Sequence, residues 1–240
     1  YKSISFVGMD KNAGKTMALN YVLSRLHCFK DLSIAVTSIG IDGETIDQVT
    51  NTSKPKIYIY PNTTFITAEN LYNQRQIVSM VEDISNNSTS LGRLIKAKSL
   101  SFGNVLLSGP TNTSWLKKTI DELNEECDIC LIVGALSRKS FASPSITQAM
   151  ILSTGAVVSA SIEKITEKTL FVYNMTKLPT VNEDLAKKLS NISKGIYAIL
   201  ENDEVIDLNI PSLLMIDKYK DKIFSQGKTL FIPGIITDKI

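Results

Sequence analysis

The residues whose types and spacing can do chemistry lie close to the start of the chain, in Gly8-Met9-Asp10-Lys11-Asn12-Ala13-Gly14-Lys15-Thr16. Gly14 lets the backbone pass close to a bound phosphate without a side chain intervening. The N–H groups that open a helix after it point at an anion, and the helix dipole adds to the attraction. In this pattern Lys15 reaches the β- and γ-phosphates of a nucleotide, and the Thr16 hydroxyl is a ligand for Mg²⁺. The candidate nucleotide-binding set is Gly8, Met9, Asp10, Lys11, Asn12, Ala13, Gly14, Lys15, Thr16 and Met17, with Lys15 also a catalytic candidate. A Gly-Lys-Thr triplet arises easily by chance, so its setting decides its weight. Here it stands between an apolar run, Ser3 to Val7, and a run with apolar residues at helical spacing, Met17 to Leu26.

The glycine spacing is unusual. The common loop of this kind has four residues between its first glycine and Gly-Lys-Thr, which would put glycine where Met9 stands. Either the loop is one residue longer, or Gly8 ends the strand and Met9 takes the first position.

Stepping outward, the chain reads as strand, glycine loop, helix, strand, with the second strand at Ser33 to Ile39 and the polar loop Gly40 to Glu44 after it. That is a βαβ unit, for which a parallel sheet is expected. Five short β-type runs follow: Lys56 to Tyr60, Thr63 to Thr67, Val78 to Ile84, Leu91 to Lys98 and Asn104 to Leu107. They are expected to form hairpins at one edge of the sheet. A helix is expected through Trp115, Leu116, Ile120 and Leu123, then a buried strand through Leu131, Ile132 and Val133. Ile146 to Ser153 reads as helical, Ala156 to Ala160 as a strand and Glu163 to Thr176 as a helix. The tail is expected to hold a helix from Asn182 to Leu189 with Asn182 as its N-cap. A hairpin, Ile196 to Leu200 with Val205 to Leu208, and a last strand, Thr229 to Ile232, complete it.

The fold expected is therefore α/β: a mostly parallel, Rossmann-like sheet flanked by helices, with an inserted β-hairpin region and a small C-terminal α/β portion. Residues 1–178 form the expected nucleotide-binding domain, with a β-rich insertion at about 55–108. Residues 179–240 form a C-terminal extension expected to pack on the same domain. A last strand without a covering helix suggests that the natural chain continues, and Tyr1, two positions before a strand, suggests a short leader.

The loop Lys11-Asn12-Ala13-Gly14-Lys15-Thr16 resembles the K-N-[S/A]-G-K-T loops of a subgroup of P-loop proteins. These are the relatives of signal-recognition-particle GTPases, MinD-type ATPases, dethiobiotin synthetase and the molybdopterin-guanine-dinucleotide accessory protein. The resemblance covers roughly residues 1–45. A looser likeness lies in Thr37-Ser38-Ile39-Gly40-Ile41-Asp42-Gly43-Glu44, Leu106-Leu107-Ser108-Gly109-Pro110 and Gly134-Ala135-Leu136-Ser137-Arg138-Lys139-Ser140. These stretches look like P-loop proteins of amino-acid fermentation, thought to help reactivate adenosylcobalamin-dependent lysine or ornithine aminomutases.

The resemblance implies a second carboxylate for the metal. A P-loop hydrolase normally has an Asp at the end of another strand, but Val133 stands where that Asp is expected, and Asp128 lies at the wrong end of the strand. In the related subgroup a carboxylate after strand 2 faces the metal and the attacking water. Asp42 and Glu44 stand there, which makes Asp42 a catalytic candidate and Thr16, Asp42 and Glu44 the candidate metal set. The alternative is that Asp42-Gly43 is a turn with a solvated acid. Asp10 either contacts the metal, accepts a hydrogen bond from the loop backbone or is solvated, and Lys11 either adds charge near the phosphates or points to water. Ser108 to Asn112 and Ser137 to Ser140, each following a strand, line the same crevice or are solvated loops.

What the rest excludes is broad. A net charge of +2 does not indicate a dedicated nucleic-acid surface. No apolar run reaches the ~18 residues a membrane span needs, and no signal-peptide pattern is visible, so a cytoplasmic protein is expected. Cys28, Cys127 and Cys130 make no disulfide framework. Cys127 and Cys130 match C-x-x-C, but His27, beside Cys28, is the only histidine to complete a zinc site, so structural thiols are expected. The Asn-x-Ser/Thr triplets at Asn51, Asn62, Asn87 and Asn112 read as composition.

Three functions fit. The leading one is a Mg²⁺-dependent nucleoside triphosphatase, using ATP with GTP left open, that couples its nucleotide state to a partner protein. The resemblance implies a cobalamin-dependent aminomutase, or a second reactivase subunit, as that partner. The others are a small-molecule kinase or ATP-dependent ligase of dethiobiotin-synthetase type, and a nucleotide-binding subunit that does not hydrolyse.

Overall fold

The computed structural model describes residues 1–39, 41–42, 56–135, 146–178, 180–210, 213–226 and 229–233. Strand β1 (Ser3–Gly8) and strand β2 (Ile34–Ser38) are buried almost throughout, as strands covered on both faces must be. Helix α1 (Lys15–Leu26) joins them. After β2 come β3 (Ile41–Asp42), β4 (Ile57–Ile59), β5 (Thr63–Ala68), the single-turn α2 (Glu69–Tyr72), β6 (Ser79–Thr89), β7 (Gly92–Ser99), β8 (Gly103–Val105) and β9 (Leu107–Ser108). Then follow α3 (Thr113–Glu126), β10 (Ile129–Ala135), β11 (Ala149–Ser153) and α4 (Ile162–Thr176).

Among the described residues the central sheet has seven strands in the order β11-β1-β10-β2-β5-β7-β6. Every pairing from β11 to β5 is parallel, and β5-β7-β6 are antiparallel. The mostly parallel α/β sheet and the hairpin at its edge are as expected. Within the β-rich stretch, β5 is a parallel member of the central sheet, while β4 and β8 pair with each other in a separate ladder, and Asn104 of β8 also bridges Gln76.

The two faces of the sheet carry different helices, and strand alternation sorts the side chains between them. Phe6, Val36, Phe65, Leu131 and Val133 pack with Leu19 and Leu23 of α1 on one face. Ala35, Ile66, Cys130 and Ile132 pack with Leu116, Ile120 and Leu123 of α3 on the other. Burying side chains such as Leu19 and Leu23 completely contributes about 2–3 kcal/mol each. Trp115 packs against the core on the α3 side of the sheet.

Two expected elements are different. Ile146 to Ser153 was expected as a helix, yet Ala149–Ser153 is the edge strand β11, paired in parallel with Ile4 to Gly8 of β1. Its contiguous apolar run suits a buried strand as well as a helix, and pairing with β1 decides between them. Ala156 to Ala160, expected as a strand, is a turn closed by the Val158 N–H on the Gly155 carbonyl, with Val157 exposed. His27 stacks on Tyr60, and Phe102 packs against both Tyr60 and Tyr58.

The chain divides into two compact units, Tyr1–Thr169 and Leu170–Ile240. The second holds α5 (Glu183–Ser190), β12 (Tyr197–Ile199), β13 (Val205–Asp207), a 3₁₀ segment (Leu213–Tyr219), α6 (Lys220–Gln226) and β14 (Thr229–Phe231). Its sheet runs β13-β12-β14 around Ile196, Ala198, Leu208, Ile210 and Ile223. Asn182 caps α5 as expected, its side chain accepting from the Leu185 N–H at 2.8 Å. No helix among the described residues is long and apolar enough to cross a membrane.

Candidate functional site

The phosphate-type loop lies at a particular place in this sheet. β1 and β10 are neighbours, yet the chain leaving β1 crosses to β2 on one side while the chain leaving β10 crosses to β11 on the other. Connections that part in opposite directions open a crevice at the carboxyl ends of the strands, where ligands of α/β proteins bind. The loop from Met9 to Gly14 springs from that end of β1.

Backbone geometry settles where the loop begins. Gly8 still pairs within β1, opposite Ala135 and Ser153, and the Met9 N–H donates to the Ser153 carbonyl at 2.9 Å. Gly8 therefore ends the strand and Met9 takes the first loop position. The Met9 sulfur also accepts from the Thr169 hydroxyl at 3.3 Å. Ser153 and Thr169 were missed in the sequence because Ser153 lay in a stretch read as helix and Thr169 is far along the chain.

Gly8 has a separate role. A β-carbon on it would fall 2.7 Å from Cγ of Lys15, 3.0 Å from Cδ of Lys15 and 2.9 Å from the Asp10 carbonyl. The lysine stem folds back over the bare Cα of Gly8. Lys15 is half-buried and forms no ion pair among the described residues.

The loop turns through two left-handed residues, Asn12 at φ 59° and Gly14 at φ 94°. Left-handed residues interleaved with ordinary ones aim successive N–H groups into a concavity that suits an anion. Nothing lies within 4 Å of the missing β-carbon of Gly14, so the space over it is open. α1 then starts with no side-chain cap and no acidic residue in its first turn. The Lys15, Thr16 and Met17 N–H groups find no acceptor among the described residues.

The other candidate loop donors differ. The Met9 N–H is held by Ser153, the Lys11 N–H by the Asp10 carboxylate at 2.6 Å, and the Ala13 N–H by the Asp10 carbonyl at 3.4 Å. Asp10 is exposed and braces the loop backbone, one of the roles considered for it.

Around the crevice the expected second carboxylate is absent from β10: Val133 is fully buried in the α1-side core. Asp42 lies not in an open loop but in β3, whose backbone pairs Ile41 with Ser108 and Asp42 with Leu107. Ladder pairing with β9 is a long-range contact that a polar stretch after a strand does not announce. Gly40, Glu44 and Ser137 to Ser140 lie outside the described residues. Ser108 is buried in β9, Gly109 packs its backbone against the Ser38 carbonyl at the end of β2, and Asn112 caps α3.

Away from this end, Asp128 immediately precedes β10 and accepts from both the Ser33 hydroxyl and the Ser33 N–H, which holds its carboxyl below the usual range. Cys127 and Cys130 are free and buried, and burial pushes both thiols up, away from nucleophilic or metal-binding thiolate. No group of three or more His, Cys, Asp or Glu side chains able to hold a metal ion occurs among the described residues. No family model matches the chain, and neither a curated protein nor a solved structure matches it.

Proposed function

We propose that the chain is a P-loop nucleoside triphosphatase, Mg²⁺-dependent and using ATP, that couples its nucleotide state to a partner protein. The observation that carries this reading is the start of α1: an uncapped first turn, opened by left-handed Gly14, with Lys15 folded over Gly8 beside it. An uncapped helix start costs stability unless an anion satisfies its N–H groups. Lys15 adds the charge that a terminal phosphate requires, and its stem is already held against the loop. A pre-positioned lysine has less freedom to lose when the phosphates arrive.

The residues present fit a magnesium nucleotide in part. Thr16 sits half-buried in the first turn with its hydroxyl as the candidate ligand, and Asp42 is the second candidate. When bound, Mg²⁺ supplies neutralisation of phosphate charge. Lys15 and the first-turn N–H groups of α1 bind and orient the phosphates. A cobalamin-dependent aminomutase, or a second reactivase subunit, is the partner class that the sequence likeness suggests.

A second reading has its own observation. Val133, buried and apolar towards the end of β10, puts no carboxylate on that strand beside the loop, which favours a nucleotide-binding subunit that does not hydrolyse. Calorimetric titration with Mg-ATP, followed by phosphate release from the same sample, separates the two. Binding with slow release that rises when the partner is added supports the first reading. Binding with no release under any condition supports the second. No binding at all defeats both.

A further inference from the structure

Strand β6 is an outer edge of the seven-stranded sheet and is long for an edge, at 11 residues. Among the described residues nothing pairs with its outer side. Edge strands are commonly guarded by lysine, proline, a bulge or a covering element. β6 contains no lysine and no proline, and its only charges are Glu82 and Asp83. It does carry bulges, and the first of them sorts its side chains.

Side chains directly opposite each other across a ladder share a face. Val81 lies opposite Ala97 and Ile84 opposite Ile95, both members of the core on the α1 side. Asp83 lies opposite Lys96, whose ammonium donates to the Glu126 carboxylate of α3 at 2.8 and 2.9 Å. Asp83 is therefore on the α3 side. Regular alternation would put Val81 and Ile84, an odd number of positions apart, on opposite faces. The extra residue between Val81 and Asp83 reverses that parity. The bulge thus gathers the apolar pair on one face and sets the acid on the other. Glu82 is near enough to Lys96 to act on its charge, so it adds to the acidic side.

Both halves of this edge are open. Val81 is 43% exposed and Ile84 40%. Glu82 and Asp83 are exposed, and neither forms an ion pair among the described residues. Asp83 also lines a groove of about 470 Å³ between β6 and α3. The two lysines of that groove, Lys96 and Lys118, already face Glu126 and Glu122.

We propose that β6 accepts an extended basic segment of a partner protein as a further strand, its apolar side chains over Val81 and Ile84 and its lysines or arginines over Glu82 and Asp83. Main-chain hydrogen bonds to the open edge supply affinity, and the alternating side chains select the segment. Charge decides the occupant. A second copy of β6 would bring two more acids and no base, and like charges set together suppress such a pairing. No nucleotide is needed for it.

The probe is a short, end-capped peptide of alternating lysine and valine, added to the full ¹⁵N-labelled chain without nucleotide. Hydrogen exchange should slow at the β6 amides that point away from β7, and titration should give a dissociation constant of about 10–100 µM, as for a small interface. A peptide of the same composition with its lysines in one block should bind at least about tenfold more weakly, as should one of alternating glutamate and valine. Glu82→Lys with Asp83→Lys should reverse the preference and take the glutamate peptide instead. Both positions are exposed, and circular dichroism checks that the variant is folded. No binding in millimolar peptide, equal binding of the alternating and block peptides, or an unreversed preference in the variant overturns the proposal. So does protection of β6 that grows with chain concentration in the absence of peptide, which would make a second copy the occupant.

Discussion

Helices α1 and α3 lie on opposite faces of the same sheet and begin in opposite ways. α3 opens with Asn112, whose side chain accepts from the Trp115 N–H at 2.9 Å and so closes the first turn. Such a cap contributes about 1 kcal/mol. α1 opens with Gly14 in a left-handed conformation, without a cap and without an acidic residue in its first turn. The α3 start is completed by the chain itself, whereas no described residue completes the α1 start. The two are equal in secondary structure and differ in what their terminal N–H groups meet. The difference extends to charge, since Lys15 stands at the α1 start and the first basic residue of α3 comes only at Lys117.

Removing Lys15 should have the largest effect. Lys15→Ala is expected to weaken Mg-ATP binding at least about 100-fold, since hydrogen bonds to charged groups are worth about 1.5–3 kcal/mol each. Melting temperature should fall little, because the ammonium has no ion-pair partner among the described residues to lose. Fluorescent-nucleotide titration with a parallel thermal melt checks both halves.

Gly8→Ala should come next. The added methyl meets Cγ of Lys15 and the Asp10 carbonyl, so stability should drop by about 1–3 kcal/mol as in other overpacked sites. Nucleotide affinity should fall with it as the lysine is displaced. In a Lys15→Ala background the stability loss should shrink, leaving the part owed to Asp10, and a double-mutant cycle of melts measures that coupling. Equal losses in both backgrounds would mean that the lysine stem does not rest on Gly8.

Asn112→Ala should have the smallest effect and of the opposite kind: about 1 kcal/mol of stability, read by denaturant unfolding, with nucleotide affinity unchanged. A variant that lost affinity here would erase the contrast between the two helix starts.

The loop was legible in the sequence because its parts are consecutive: a strand, Gly14-Lys15-Thr16 and an amphipathic helix follow one another without a gap. Local spacing also carried α3, α5 with its Asn182 cap, and the β12-β13 hairpin. What stayed hidden depends on contacts between distant segments. Ile146 to Ser153 is rich in good helix formers, Ala, Met, Leu and Gln, and only the open edge of β1 makes a strand of its second half. The place of Met9 could not be decided until Ser153 was seen to accept its N–H. The fold-back of Lys15 over Gly8 pairs residues on either side of the loop, and spacing alone does not say that their atoms meet. Asp42 was read correctly as following strand 2, but its ladder with Leu107 joins segments 65 positions apart in the chain.

The central claim is that the start of α1 awaits a phosphate. The most direct measurement follows the backbone amide resonances of the ¹⁵N-labelled chain as Mg-ATP is added. Gly14, Lys15, Thr16 and Met17 should shift together and saturate, while Thr113, Ser114 and Trp115 at the capped start of α3 should stay in place. Unmoved amides at the start of α1 in millimolar nucleotide, or equal shifts at both helix starts, would contradict the account.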